Sequence, residues 1–134
     1  MQLTPSQIFW LGSGITLIFF MMVYLKLHRK KGVLISLFIV GLISLIIGII
    51  LMSNPEFEMK KGHAATTFFG PIIYISTYQI LRIIFKKQTG IEPAYEFAST
   101  YDSKDKRGLG VFDYIIFIFP FVLATAISLI IGWK

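Results

Sequence analysis

Leu45-Ile46-Ile47-Gly48-Ile49-Ile50-Leu51 lies within the run Val33–Met52, 20 residues without one charged side chain. In water so many β-branched residues would favour a strand. The stretch nevertheless lacks the polar/apolar alternation that a membrane strand carries over about ten residues. In a bilayer every backbone amide must be bonded within its own segment, so the run reads as a helix. Its length matches the roughly 20 apolar residues needed to cross a hydrocarbon core of about 30 Å.

Three further runs reach that length: Ile8–Leu27, Ala64–Phe85 and Val111–Ile131. Their only charged residues, Lys26, Arg82 and Asp113, lie within a turn of an end. The 134-residue chain is 55% hydrophobic and 15% charged, with a mean hydropathy of +0.74 and no cysteine. That composition excludes an ordinary soluble domain, a disulfide-stapled module and a disordered chain. The expected fold is an all-α membrane protein, a single polytopic domain whose four transmembrane helices form a small antiparallel bundle. Thr4-Pro5-Ser6 reads as a helix start, with proline where its missing N–H costs nothing. The first run has no cation before Lys26 and no small-residue cleavage site after it, so it is expected to be retained as a span.

The cations give an orientation. Lys26, Arg29, Lys30 and Lys31 flank the first loop (28–32), and Arg82, Lys86, Lys87, Lys104, Lys106 and Arg107 flank or occupy the third (86–110). The loop 53–63 holds only Lys60 and Lys61, and the C-terminus Lys134. Short cation-rich loops stay cytoplasmic, which puts both termini outside a plasma (inner) membrane, with Trp10 and Trp133 at the outer interface. The net charge of +6 is then read as topology and as attraction to anionic lipid headgroups, not as nucleic-acid binding. His28, within the basic cluster, is expected to be solvated.

Helices in lipid associate through close packing and polar contacts. Gly32, Ser36, Ser44 and Gly48 on the second span, and Pro120, Ala124, Ser128 and Gly132 on the fourth, recur at multiples of four and mark expected contact faces with close neighbours, each other among them. Gly12 and Thr16 give a shorter version on the first span. Pro120 and Gly70-Pro71 are expected to kink their spans.

The third span carries the intramembrane polar groups: Tyr74, Tyr78 and Arg82 on one face, with Gln79 beside them. Such groups are candidates for function. Arg82 and Asp113 lie at the same depth, and an ion pair between them is expected at the inner rim. In the long 86–110 loop, Glu92, Tyr95, Glu96, Phe97 and Tyr101 are the candidate partner-binding residues, because a long loop between tight connections is more often functional than idle.

The sequence shows no nucleophile–base pair, no paired carboxylates and none of the phosphate, dinucleotide or zinc fingerprints, so no catalysis and no cofactor are expected. Glu56, Glu58 and His63 match no metal-ligand spacing. The expected function is therefore binding of a partner, as a complex subunit, an assembly factor or a protective, immunity-type protein. The alternative is a small homo-oligomeric transporter or channel using the polar face of the third span. In its number of spans the chain resembles small multidrug-resistance exporters, but their first span carries an embedded glutamate and Ile8–Leu27 contains no acid.

Overall fold

The computed structural model describes residues 2–25, 27–90, 93, 111–131 and 133. Its long helices are α1 (Pro5–Tyr24), α2 (Lys31–Met52), α3 (Gly70–Thr89) and α4 (Val111–Ile131). A 3-10 turn, Leu27–Arg29, joins α1 to α2. Between α2 and α3 come a 3-10 turn (Pro55–Phe57), two short antiparallel strands, β1 (Glu58–Met59) and β2 (Gly62–His63), and a 3-10 helix (Ala64–Phe69). Four helical segments are long and apolar enough to cross a membrane, the third counted from Ala64 through Thr89.

Local signals set the ends. Thr4 and Gln7 form a reciprocal capping box, so α1 begins at Pro5, three residues before the apolar run. Pro71 does not kink the third segment. It lies in the first turn of α3, directly after the 3-10 helix, where a proline loses no backbone bond. Gly90, at φ 72°, closes α3 in a left-handed cap whose N–H bonds the Lys86 carbonyl at 2.8 Å. Gly62, at φ 141°, lets β2 leave the hairpin turn in a conformation closed to most side chains. Helix α4 runs unbroken through Pro120, which is buried.

The third segment is the axis of the bundle. Half of its most apolar stretch is buried, roughly twice the share of any other helix, although it is the least apolar of the four. Helices α1, α2 and α4 pack around it, and α4 makes its longest contact with α3. In a bilayer this arrangement would follow from solvation: the most apolar helices would face lipid, and the polar one would be screened by protein. Ile35, Ile39, Ile46 and Ile50 of α2 are accordingly exposed.

Each outer helix buries one stripe of residues three and four apart. On α1 the stripe is Ile8, Gly12, Thr16, Phe19 and Val23, on α2 Leu37, Gly41, Ser44 and Gly48, and on α4 Asp113, Ile116, Pro120, Ala124 and Ser128. Gly48 lies against Phe68 and Phe69, and Ser44 Oγ donates to the Phe68 carbonyl at 2.8 Å. Such an interhelical bond contributes about 0.6–2 kcal/mol in a bilayer.

The small-residue ladder on α2 departs from the sequence expectation at one end. Gly32 and Ser36 are exposed, with open space beside Gly32. A step of four residues overshoots a full helical turn by about 40°, so 32, 36, 40, 44 and 48 rotate out of any single face. The buried set alternates steps of four and three and stays on one face. Nor do the two ladders meet each other: α2 and α4 both pack on the third segment and share at most a slight contact. Gly132 lies outside the described residues.

The start of α1 and Trp133 lie at the hairpin end of the bundle. Ile8 packs with Phe57, Ala64 and Phe68, and Lys61 Nζ sits 5.8 Å from the Trp133 ring centroid. The opposite, basic end holds the Leu27–Arg29 turn, the end of α3 and the start of α4.

Candidate functional site

Helical spacing puts Tyr74 and Tyr78 one turn apart on α3, and the neighbouring helices close over both. Their rings stack at 6.3 Å between centroids. Phe20 of α1 approaches Tyr74 at 6.2 Å and also meets Phe117 and Phe121 of α4 at 4.6 and 5.0 Å. The tyrosines therefore stand within an aromatic column that joins α1, α3 and α4.

Towards the basic end the surroundings become polar. Gln79 is 8% exposed, and its Oε1 accepts a bond from Arg82 Nη1 at 3.3 Å. Asp113, in the first turn of α4, is 1% exposed. That position suits a carboxylate, since the amide end of a helix carries partial positive charge. Two buried atoms of α3, Tyr74 Oη and Gln79 Nε2, have no hydrogen-bonding partner among the described residues. Leaving such a group unmatched costs about 1–3 kcal/mol.

His28 joins this cluster against the sequence expectation. The 3-10 turn after α1 tucks the imidazole inward to 1% exposure, edge-on to the Tyr78 ring at 5.0 Å. A basic run names the charge of a loop but not which side chain folds under it. Arg29, the next residue, donates from Nη2 to the Pro93 carbonyl at 3.2 Å, and Pro93 is itself fully buried. The long third loop is thus held to the first at Pro93. Glu92, Tyr95, Glu96, Phe97 and Tyr101 lie outside the described residues.

At the hairpin end His63 acts as a strut. Its Nδ1 accepts from the Ala65 N–H at 3.2 Å and its Nε2 lies 3.2 Å from the Asn54 carbonyl, so the ring carries its proton on Nε2. Thr66 and Thr67 hydroxyls cap the same turn by donating to the His63 and Ala64 carbonyls at 2.8 and 2.9 Å. These bonds serve the peptide groups at the start of the 3-10 helix. Glu56 and Glu58 are exposed, and no cluster of His, Asp or Glu able to hold a metal occurs among the described residues.

No protein-family model matches the chain, and no curated protein or solved structure matches it either.

Proposed function

We propose that this is a multi-pass protein of the plasma (inner) membrane that acts without catalysis by binding a protein partner, as a complex subunit, an assembly factor or a protective protein. Both termini face outward, and the basic end, rich in Lys and Arg, faces the cytoplasm beside anionic headgroups. One observation carries the reading. The polar face of α3 is covered by helices of its own chain, with Tyr74, Tyr78 and Gln79 all buried. A homo-oligomeric transporter needs that face on a shared pathway, whereas here it is core. Polar surface is left at the ends, where Arg29 bonds the Pro93 carbonyl of the long loop whose sequence carries Glu92, Tyr95, Glu96, Phe97 and Tyr101.

Affinity purification of the tagged full-length chain in mild detergent tests this. A stoichiometric second protein is expected, lost in Tyr95→Ala and Phe97→Ala and retained in Gln79→Leu. Recovery of the chain only as a self-assembled ring or dimer contradicts it. Such a result would favour the transporter reading, whose support is the pair of unmatched buried atoms on Tyr74 and Gln79. Gln79→Leu would then abolish activity without unfolding the protein.

We also propose that Arg82 and Asp113 pair across α3 and α4 at the basic end. Arg82→Gln and Asp113→Asn are each expected to lower stability by about 1–3 kcal/mol. The double variant should cost clearly less than the sum, as coupled neighbours do. Thermal unfolding in detergent reads all three, and strictly additive losses would refute the pair.

A further inference from the structure

A cavity of about 180 Å³ opens between α1 and α4 in the hairpin-end half of the bundle. Its walls include Ser13 and Thr16 of α1, Thr67 and Gly70 of the third segment, and Ala124 and Ser128 of α4. It exists because the third segment holds the backbones of α1 and α4 apart: each packs extensively on that segment, and towards the basic end the gap between them is bridged by long aromatic side chains, Phe20 meeting Phe117 and Phe121. The close approach on one side is tight, since a Cβ on Gly70 would collide with Thr16 Oγ1. On the other side Ser13 is half-buried and Thr125 exposed, which places the mouth on the outer surface of the bundle.

The hydroxyls of Thr16, Thr67, Thr125 and Ser128 suggest a polar chamber, but their protons are already committed. Thr16 donates to Gly12 O at 3.2 Å, Thr125 to Phe121 O at 2.9 Å and Ser128 to Ala124 O at 2.7 Å. Thr67 donates to Ala64 O in the same way. What faces the cavity is almost wholly apolar: methyl and methylene groups and the Phe121 ring. Water needs two to four polar partners, and an apolar cavity of about 150 Å³ stays dry while accepting benzene.

From this geometry we infer that the cavity takes a hydrocarbon chain, the end of an acyl chain of a surrounding lipid, entering sideways between α1 and α4. The mouth lies within segments long and apolar enough to cross a membrane, so the medium in front of it is hydrocarbon. Filling it recovers van der Waals contact that a void forfeits. The inference rests on insertion of the four helices in a bilayer but is independent of any protein partner.

The test uses the full-length protein in phosphatidylcholine nanodiscs in which some lipid carries a diazirine at the end of one acyl chain. After illumination, adducts are mapped by mass spectrometry. The expected result is labelling of Thr16, Thr67 and Ala124, which are buried from the lipid-facing surface, together with exposed Ile46 and Ile50. Ala124→Leu fills the cavity from its wall and Ser13→Leu from its mouth. Each should abolish labelling of Thr67 while leaving Ile46 and Ile50 labelled. Wild-type adducts confined to Ile46, Ile50 and other exposed positions would overturn the cavity site alone, as would Thr67 adducts that survive both fillings. Absence of adducts everywhere, Ile46 and Ile50 included, would overturn bilayer insertion and the site with it.

Discussion

Gly12→Val is expected to unfold the bundle or to destabilise it by about 3 kcal/mol, the upper end of the range for overpacking. At Gly12, α1 meets the third segment at backbone distance. A Cβ built there would collide with Thr67 Oγ1 and lie 2.9 Å from both the carbonyl carbon and the Cβ of Thr67. Relief requires a shift of backbone, because Thr67 is pinned by its own bond to the Ala64 carbonyl. In lipid the consequence is severe, since helix association has little hydrophobic drive and depends on such close approach. Gly14, two residues along, is the control: a Cβ there meets nothing within 4 Å. Gly14→Ala should be neutral or gain up to about 1 kcal/mol from helix propensity. Thermal unfolding in mild detergent, followed by far-UV circular dichroism, separates the two. Equal stability of Gly12→Val and Gly14→Ala would show that the α1 contact is not as close as described. Thr67→Ala should recover part of the loss in Gly12→Ala, the carbonyl contact remaining.

Tyr78→Ala is expected to cost about 3–5 kcal/mol, the usual loss when a large aromatic is deleted from a core. The ring is buried, stacks on Tyr74 and receives the edge of His28. It thereby ties α3 to the connection between α1 and α2. Its removal should loosen the basic end first, seen as faster tryptic cleavage at Arg29 and Lys30 than at Lys60 and Lys61. Tyr74→Phe is the contrast. The ring stays and only a hydroxyl with no hydrogen-bonding partner among the described residues is lost. Stability should then be unchanged or rise by about 1 kcal/mol. Loss of activity in Tyr74→Phe with stability intact would assign that hydroxyl a functional role and shift the balance towards a transport pathway.

Much of this architecture was legible in the chain. Val33–Met52 declares a helix because it is long enough to span, lacks the alternation of a membrane strand, and only a helix bonds its amides within one segment. Thr4, Gln7 and Pro5 mark the start of α1 through groups within one turn of each other. The third span stood out as the polar one through Tyr74, Tyr78 and Gln79. These are local properties, and local chemistry decides them.

Other features required the packed molecule. Pro71 read as a kink until the 3-10 helix before it placed it in a first turn. Gly32 and Ser36 looked equivalent to Ser44 and Gly48, yet only the latter two reach the third segment. His28 looked solvated among cations and is buried under the Leu27–Arg29 turn. Amino-acid type and spacing state how long a segment is, what solvent it tolerates and where its ends are capped. Which of several apolar faces meets which neighbour is a different quantity. It depends on how backbones interlock at Gly12, Gly41, Gly48 and Gly70, contacts between residues far apart in the chain whose energies exist only once the helices are assembled.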